Sequence, residues 1–407
     1  MIDIARDPKT TAVIVSAVRT PIGRYLGGLS SLSAPDLGAV AIREAVARAG
    51  VSADDIAEVI MGNVVQGGVG QAPARQAAIK SGLPSSVSAL TINKVCGSGL
   101  KAVMLAAQSI RAGDNQVVVA GGQESMSNAP FYVYGYRNGV KFGDQALVDG
   151  LIRDGLWCSF CDVHMGGHAE YTAKKAGITR QMADEFSVAS HRKAAAAMEA
   201  GKFKDEIVPV EVPGRKGPTI VDTDEGPRAD SSLETLGKLK PAFTKDAPKE
   251  VTDPVVTAGN ASSMNDGASA VVVVSEEYAR ANGLTILARV TAYSTGAVDP
   301  KELFFAPIEA VKKLMKKSGT QIGDYDLIEA NEAFAVQALA DGSGLGWDWD
   351  RVNVNGGAVA LGHPIGASGA RVLTTLLHAL KDRDKETGLA TLCLGGGDAV
   401  ALSVERV

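Results

Sequence analysis

Cysteine is scarce in this chain, with four in 407 residues. So few thiols cannot form the disulfide framework of a small secreted protein, and a reducing, cytoplasmic location is the simplest expectation. An excess of basic residues is also lacking, since the formal net charge is −5, and this argues against nucleic acid as a partner. No apolar run reaches membrane-spanning length, and residues 1–9 form no hydrophobic or Arg-rich leader. We therefore expect no membrane attachment.

Glycine is abundant instead, with 46 residues that cluster in short groups. A chain of this length predicts two or three domains. Buried-strand patterns alternate with helical ones, as in residues 11–18 followed by residues 36–49. This alternation predicts an α/β protein whose sheet is covered by helices on both faces.

The stretch NKVCGSGL, residues 93–100, joins an extended segment to a helical one. The pattern predicts a strand before Cys96 and a helix after it that stops at Gly113. A helix N-terminus stabilises a thiolate and so lowers the pKa of a cysteine there. Cysteine is also common as an inert buried side chain, so this stretch alone leaves both roles open.

The end of the chain repeats this order of elements. A strand predicted over residues 352–355 enters a glycine-rich turn that holds His363, and a helix and an apolar strand ending in three glycines follow. Cys96 is likewise followed by a helix and an apolar strand that ends in two glycines. The repeat predicts a duplication whose halves pair about a pseudo-dyad, with the matching turns facing each other.

Facing turns would bring His363 to Cys96, and histidine is the usual base for a cysteine nucleophile. Cys393 directly precedes the triple glycine. It is either a small strand residue or a second thiol acting as acid and base. Asn331 occupies a further turn, in the sequence EANEAF.

Four ordered motifs resemble those of the thiolase family: NKVCGSGLKA (93–102), NEAFAVQA (331–338), GGAVALGHPIGASGAR (356–371) and CLGGG (393–397). The resemblance extends from about residue 11 to the C-terminus. The sequences LGWD and VHMG further resemble the biosynthetic branch of the family.

The resemblance implies an α/β thiolase fold, in which two duplicated mixed-sheet halves form αβαβα layers and a long loop domain is inserted. The implied N-terminal half comprises residues 1–123 plus 255–280. The loop domain, with CoA-binding and oligomer contacts, comprises residues 124–254, and the C-terminal half comprises residues 281–407.

Thiolases condense two acetyl-CoA molecules reversibly into acetoacetyl-CoA and CoA. The resemblance implies that Cys96 holds the acetyl group, that His363 takes its proton and that Cys393 deprotonates the second acetyl-CoA. Asn331, through a water, and His363 would serve the enolate oxygen, while the N–H groups of Cys96 and Gly395 would serve the acyl intermediate. An ion pair with His363 is expected to lower the pKa of Cys96. No cofactor is implied, because CoA thioesters are substrates.

The resemblance also implies substrate contacts and an assembly. The aromatic stretch at residues 131–136 is similar to the segment through which the biosynthetic type associates, so we expect a homotetramer built as a dimer of dimers. The implied substrate contacts are Arg228, Phe243 and Ser262 for the adenine and pantetheine arm, and His164, Met165 and Phe334 for the acyl end.

Two residues depart from the family pattern. Asp398 follows the triple glycine, where Met, Gln or Asn is usual, and its carboxylate either perturbs Cys393 or points to solvent. Ser263 stands where the family usually has glycine.

One motif competes with these. Cys158, Cys161, His164 and His168 follow a C-x2-C-x2-H-x3-H pattern that resembles zinc-ligand spacing. The spacing is too tight for the usual zinc fingers, and the matching family region is metal-free. We expect no metal, and thiols that lie beside a substrate loop; a Cys158–Cys161 redox pair is a further alternative.

Three other functions stay open at this point. A degradative 3-ketoacyl-CoA thiolase acting on longer or branched chains differs only in pocket shape. A Cys-His thioesterase would use Cys96 and His363 but would not need Cys393. A thiolase-like binding protein without turnover would need none of the three.

Overall fold

The computed structural model describes residues 7–407. Its strands are β1 (Ala12–Arg19), β2 (Gly23–Arg24), β3 (Glu58–Gly62), β4 (Ser88–Ile92), β5 (Val117–Ser125), β6 (Phe131–Tyr132), β7 (Val148–Asp149), β8 (Trp157–Cys158), β9 (Val163–His164), β10 (Val210–Val212), β11 (Thr219–Val221), β12 (Asn265–Ser275), β13 (Ala288–Ala297), β14 (Leu327–Ala330), β15 (Thr387–Leu394) and β16 (Asp398–Arg406). Its α-helices are α1 (Ala34–Ala49), α2 (Pro73–Lys80), α3 (Ser98–Ala112), α4 (Met165–Ala176), α5 (Arg180–Glu199), α6 (Leu233–Gly237), α7 (Glu276–Ala281), α8 (Ala306–Ser318), α9 (Ala335–Leu345), α10 (Ala358–Leu361) and α11 (Ile365–Asp382).

Local signals in the sequence set the ends of the first helices. Ser33 precedes α1 and forms a capping box with Asp36, in which each side chain accepts a hydrogen bond from the other residue's backbone N–H. Gly50 ends α1 with φ 69°, and Gly113 ends α3 with φ 81°, in the left-handed region that favours glycine. The predicted stop at Gly113 is confirmed.

The large sheet consists of two halves with the same strand pattern. In the first half the order is β1, β12, β5, β3, β4, where the first two pairs are antiparallel and the last two parallel. In the second half the order is β13, β16, β15, β14, again with two antiparallel pairs followed by a parallel one. Pairing of β1 with β13 joins the halves. The predicted duplication is confirmed.

The counterpart of β4 in the second half is not a strand, so the strand predicted over residues 352–355 is wrong. Val352 makes only one parallel bridge, to Ile328. Asn353 then adopts φ 44°, and its side-chain amide exchanges two hydrogen bonds with the backbone of Ala330, of 2.9 and 2.8 Å. The side chain of Asn353 thus replaces the backbone hydrogen bonds that a paired strand would make with Ala330. The backbone after Asn353 therefore turns away from the sheet.

Helices and sheet halves alternate in layers. A core of buried apolar residues from α3 and α11 contacts strands of both halves. On the far side of the first half, α1 packs against β1, β5 and β12, and α2 packs against β3 and β4. On the far side of the second half, α8 packs against β13, β15 and β16. These contacts give the expected αβαβα order.

The two central helices approach each other through glycines near their N-terminal ends. A Cβ atom at Gly99 of α3 would lie 2.6 Å from the backbone nitrogen of Ala370, and one at Gly369 of α11 would lie 2.3 Å from that of Leu100. Real Cβ atoms do not come this close to backbone, so only glycine allows this helix separation. The crossing lies just beyond the turns that hold Cys96 and His363.

The chain between β5 and β12 covers one end of these layers. It contains α4, α5 and α6 and the three small antiparallel pairs β6–β7, β8–β9 and β10–β11. The domain boundaries at residues 124 and 254 stay a prediction. Across residues 7–407, no helix combines the length and the apolarity that a membrane crossing requires.

Substituting Gly369 with alanine should destabilise the fold. We expect Gly369→Ala to lower the free energy of unfolding by about 1–3 kcal/mol, because the new methyl group overpacks the α3–α11 contact. Alanine's higher helix propensity would act in the opposite direction. The measurement is denaturant unfolding of the purified protein.

Gly237→Ala is the matched control, because a Cβ atom at this helical glycine meets nothing within 4 Å. Its free energy of unfolding should stay the same or rise slightly. A Gly369→Ala protein as stable as the control would contradict the proposed contact.

Candidate active site

The matching turns of the two halves open into one cleft of about 900 Å³. Residues from both halves and from the chain between β5 and β12 line it. The residues that the sequence singled out and that the structure places on this cleft are Cys96, His164, Met165, Arg228, Phe243, Ser262, Phe334, His363, Cys393 and Gly395. Asn331 reaches the cleft through His363, as described below.

Cys96 is presented by a tight turn that ends two residues before α3. Val95 has φ 45°, an unusual value for a β-branched residue. Ser98 braces the turn, because its hydroxyl accepts a 2.8 Å hydrogen bond from the N–H of Lys94 and donates a 2.6 Å bond to the carbonyl of Val95. The braced turn leaves Cys96 partly exposed to the cleft.

His363 has a defined tautomer. Its Nδ1 lies 2.6 Å from Ser368 Oγ, and that hydroxyl also lies 2.9 Å from the carbonyl of Pro364. A carbonyl only accepts, so the single hydroxyl hydrogen goes to Pro364 and Ser368 Oγ accepts the Nδ1–H of the imidazole. Nε2 therefore carries the lone pair, as a base at the cleft requires.

The backbone of His363 is held from the other half of the molecule. Its N–H donates a 2.9 Å hydrogen bond to Asn265 Oδ1. The hydroxyl of Ser263 donates to the same oxygen at 2.9 Å. The serine that replaces the usual glycine of the family therefore supports the residue that holds His363.

Asn331 contacts the His363 ring. Its Nδ2 lies 3.4 Å from Nδ1 and 3.5 Å from Nε2 of the imidazole. On the other side, its Oδ1 accepts a 3.4 Å hydrogen bond from Arg371, whose guanidinium pairs with Glu329 at 2.9 Å. Because a cationic donor faces Oδ1, the amide directs its NH2 group toward the histidine.

Cys393 lies buried near the end of β15. Burial raises the pKa of its thiol well above the usual range, and negative charge on Cys96 or Asp341 acts in the same direction. Asp341 is a buried carboxylate on α9 whose Oδ1 has no hydrogen-bond partner within residues 7–407. Asp398 forms an ion pair with Lys94 and so does not point freely to solvent, and it is not among the charges that raise the pKa of Cys393.

The pKa expected for Cys96 is wrong in this structure. Burial raises the pKa of its thiol to about 12, although the N–H groups of Cys96 and Gly395 hydrogen-bond to the sulfur and oppose the rise. Burial, and then the positive charge of Arg371, lower the pKa of His363 to about 3. At neutral pH the pair is a thiol and an imidazole, so the proton has to move as the sulfur attacks.

Aromatic rings form one wall of the cleft. The imidazole of His164 stacks on Phe243 with ring centroids 4.8 Å apart. Phe334 packs edge-on against Phe243 and Phe304, at 6.2 and 5.2 Å. Met165 begins the helix beside them. Together they make a largely apolar surface suited to an alkyl chain.

The remaining predicted contacts lie toward the mouth of the cleft. The N–H of Arg228 donates a 3.2 Å hydrogen bond to Nδ1 of His191, which fixes this loop on α5. Ser262 donates from its hydroxyl to the carbonyl of Ala333 at 2.8 Å. The backbone of Ala333 in turn leads into Phe334 and α9.

Reasoning from the sequence did not identify two residues that support the site. Ser368 sets the tautomer of His363. The sequence feature that could have identified it is a hydroxyl residue in the first turn of the helix that follows the histidine. Asp341 raises the pKa of Cys393, and no sequence signal marked it because it lies on a separate helix, far along the chain.

Models of known families match nearly the whole chain. "Thiolase, N-terminal domain" matches residues 12–277, and "Thiolase, C-terminal domain" matches residues 284–406.

Curated relatives and a solved structure match over nearly their full lengths. The chain is 55% identical to an acetyl-CoA acetyltransferase of Pseudomonas aeruginosa, over 97% of this chain and 99% of the relative. It is also 55% identical to one of Cupriavidus necator, over 98% and 100%. The crystal structure of the Bacillus anthracis acetyl-CoA acetyltransferase superposes with a TM-score of 0.94 at 42% identity, over 98% of this chain and 99% of that one.

Removing the hydroxyl of Ser368 should slow acylation of Cys96. We expect Ser368→Ala to reduce the rate about 10–100-fold, because the buried Nδ1–H loses its acceptor and the ring loses its orientation. The rate is measured as covalent acylation of Cys96 by a short-chain thioester, followed by mass spectrometry.

Ser187→Ala is the matched control. Ser187 is buried and its hydroxyl bonds the carbonyl four residues back, Ala183, as Ser368 bonds Pro364, but that hydroxyl lies on a helix away from the His363 ring. Equal rates in the two variants would show that Ser368 has no part in orienting the base.

Proposed function

The chain belongs to the thiolase family, and from the geometry of its cleft we propose that it condenses two acetyl-CoA molecules into acetoacetyl-CoA and CoA, reversibly. The observation that carries the proposal is the presence of two cysteines, Cys96 and Cys393, with His363 on one cleft. Acyl capture needs one thiol and a base, whereas carbon–carbon bond formation needs another group to deprotonate the second thioester. The names of relatives that are more than 50% identical to this chain support the same substrate.

The first half-reaction transfers the acetyl group to the enzyme. Cys96 Sγ attacks the thioester carbonyl while its proton passes to Nε2 of His363. The carbon–sulfur bond to CoA then breaks, the leaving thiolate takes the proton from the imidazolium, and acetyl-Cys96 remains. The N–H groups of Cys96 and Gly395, which already hydrogen-bond to the sulfur, are the donors we assign to the developing oxyanion.

The second half-reaction forms the new bond. Cys393 gives its own proton to His363 and, as a thiolate, removes a proton from the methyl group of the second acetyl-CoA, and the enolate oxygen is stabilised by the His363 imidazolium and, through a water, by Asn331. The methyl carbon attacks acetyl-Cys96 and releases acetoacetyl-CoA, and the Cys96 thiolate that leaves takes the proton of the imidazolium, so all three groups return to their starting states. A thiol whose pKa is raised is a stronger base when ionised, which suits a weakly acidic methyl group.

The substrate contacts follow the shape of the cleft. We assign the acyl end to the aromatic wall of His164, Met165 and Phe334, and the pantetheine arm to Phe243 and the Ser262 loop. Arg228 at the mouth supplies positive charge for the nucleotide end of CoA. Every step uses this chain's own groups, so we propose that CoA thioesters are substrates and that no cofactor takes part.

Replacing Cys393 separates condensation from hydrolysis. We expect Cys393→Ala to be acetylated on Cys96 by acetyl-CoA, as seen by mass spectrometry, yet to lose at least about 10³-fold in acetoacetyl-CoA formation and cleavage, because the base for the methyl proton is gone. Cys96→Ser should lose both acetylation and turnover.

A thioesterase would give a different result for the Cys393→Ala variant. Cys393→Ala would then hydrolyse acetyl-CoA as fast as the wild type, and acetoacetyl-CoA would never form. A preference for long-chain over acetoacetyl substrates in kcat/KM for the wild type would favour the degradative function instead.

We propose a homotetramer, a dimer of dimers, assembled through the aromatic stretch at residues 131–136. Phe131, Tyr134 and Tyr136 expose 60, 59 and 66% of their surface in the single chain, beside the fully exposed Phe142. Exposed rings this close together are typical of a protein interface.

Polar substitutions in this stretch should weaken the assembly. Light scattering should give the wild type four times the 42.0 kDa mass of the chain, and the triple variant Phe131→Ser, Tyr134→Ser, Tyr136→Ser a smaller mass. Ile220→Ser with Leu233→Ser is the control, since both residues are exposed elsewhere. A monomeric wild type, or a triple variant that remains tetrameric, would contradict the proposal.

We also propose a cytoplasmic location for the enzyme. All four cysteines are free thiols, and the reaction needs two of them reduced, which the cytosol ensures.

A further inference from the structure

Cys158, Cys161 and His168 lie together beside the cleft, and the reaction proposed above uses none of them. One donor atom from each, two sulfurs and an imidazole nitrogen, lies within 4.8 Å of the others. Cys158 and His168 are buried, whereas Cys161 is exposed. The group therefore presents three ligand-type atoms with one side open to solvent.

The hairpin between β8 and β9 brings the two sulfurs together. Its turn is closed by a 2.9 Å hydrogen bond from the N–H of Asp162 to the carbonyl of Cys158, and Asp162 has φ 54°. Within this turn the N–H of Cys161 donates to Cys158 Sγ at 3.4 Å. An amide that donates to sulfur stabilises negative charge on it, which a metal-bound thiolate requires.

His168 offers a nitrogen with a free lone pair. Its Nδ1 lies 3.3 Å from the carbonyl of Lys301. A carbonyl only accepts, so Nδ1 carries the hydrogen and Nε2 carries the lone pair. His168 is 2% exposed, and Nε2 has no hydrogen-bond partner within residues 7–407. A buried nitrogen without a partner costs free energy unless something binds it.

We propose that Cys158, Cys161 and His168 bind one Zn²⁺ ion, with a water molecule as the fourth ligand on the exposed side. Two thiolates and an imidazole select zinc over magnesium or calcium. Metal-binding histidines typically donate their other ring N–H to a carbonyl, as His168 does to Lys301. A tetrahedral zinc site spaces such donors about 3.5–3.8 Å apart, so only a small closure of the hairpin is needed.

The ligand set differs from the one that the sequence spacing suggests. His164 belongs to the cleft, where its Nδ1 accepts from the N–H of Gly166 and its ring stacks on Phe243. His168, one turn further along α4, takes its place. The spacing of the proposed ligands is therefore C-x2-C-x6-H, and a zinc ion bound by them would overturn the expectation of no metal.

A disulfide between Cys158 and Cys161 accounts for fewer of the three neighbouring donor atoms than a zinc ion does. It would join the two sulfurs but leave Nε2 of His168 buried without a partner. Zinc satisfies all three atoms, and its binding releases the two thiol protons. The geometry therefore favours the metal.

The bound ion would connect the hairpin to the rim of the active site. It would tie the β8–β9 turn to the first turn of α4, which also carries Met165. Phe160, at the tip of the hairpin, lies against Gly396, where a Cβ atom would be 3.3 Å from the ring. We assign the zinc a role in holding this rim and none in the chemistry.

Zinc titration of reduced protein stripped with a chelator tests the proposal. The wild type should bind one Zn²⁺ per chain, measured by elemental analysis after desalting. Co²⁺ should give the thiolate charge-transfer absorption and the intense visible bands of a tetrahedral site. Cys161→Ser and His168→Gln should each bind zinc at least about 10–100-fold more weakly.

Two control variants test whether the active-site thiols are the zinc ligands. Cys96→Ser and Cys393→Ala should bind Zn²⁺ as tightly as the wild type, since neither residue belongs to the cluster. The proposal fails if reduced wild type binds less than one equivalent, if His168→Gln binds as tightly as wild type, or if Cys96→Ser removes the zinc. It also fails if the native protein carries a Cys158–Cys161 disulfide, seen as a peptide lighter by two hydrogens.

Discussion

The close approach of α3 and α11 is the constraint on which the rest of the structure depends. Gly99 and Gly369 bring the N-terminal parts of the two helices into backbone contact, and each helix begins two residues after a reactive side chain, Cys96 or His363. A larger residue at either glycine would separate the helices and, with them, the nucleophile and its base. The duplication therefore has a chemical consequence, because equivalent turns of the two halves carry complementary groups to one place.

Buried polar groups then fix the turns that this crossing brings together. The carboxylate of Glu124, at the end of β5, accepts hydrogen bonds from the N–H of Gly366 at 2.8 Å and of Val64 at 3.0 Å. It thus joins the start of α11 to the first half of the molecule. Arg371 and Asn331 orient the opposite side of His363. The same burial keeps thiol and imidazole uncharged, so the site is organised for proton transfer during the reaction and not for a resting ion pair.

The features that were predictable from sequence are those set by local pattern. The turn at Cys96, the stop at Gly113 and the repeated strand order follow from glycine positions and apolar periodicity, and the family motifs carry the active-site residues. What was missed depends on contacts between distant segments. Asn353 ends the expected strand by bonding Ala330, and Asp398 pairs with Lys94, 304 residues away. The raised pKa of Cys96 follows from the burial of its sulfur by other segments of the fold, which a helix-terminus argument does not contain.

His363 and His168 share one hydrogen-bonding arrangement but have different functions. Each ring places Nδ1 against an oxygen, Ser368 Oγ in one case and the Lys301 carbonyl in the other, and each is thereby left with a lone pair on Nε2. The surroundings decide what the lone pair does. The lone pair of His363 belongs to a residue on a substrate-sized cleft that also holds the nucleophilic thiol of Cys96, so it can accept a proton and release it again. That of His168 is enclosed next to two sulfurs on a short hairpin, where a proton would have no substrate to reach and a metal ion satisfies all three donors. The function of each histidine thus follows from two features: the oxygen that accepts from Nδ1, and the groups that surround the lone pair on Nε2.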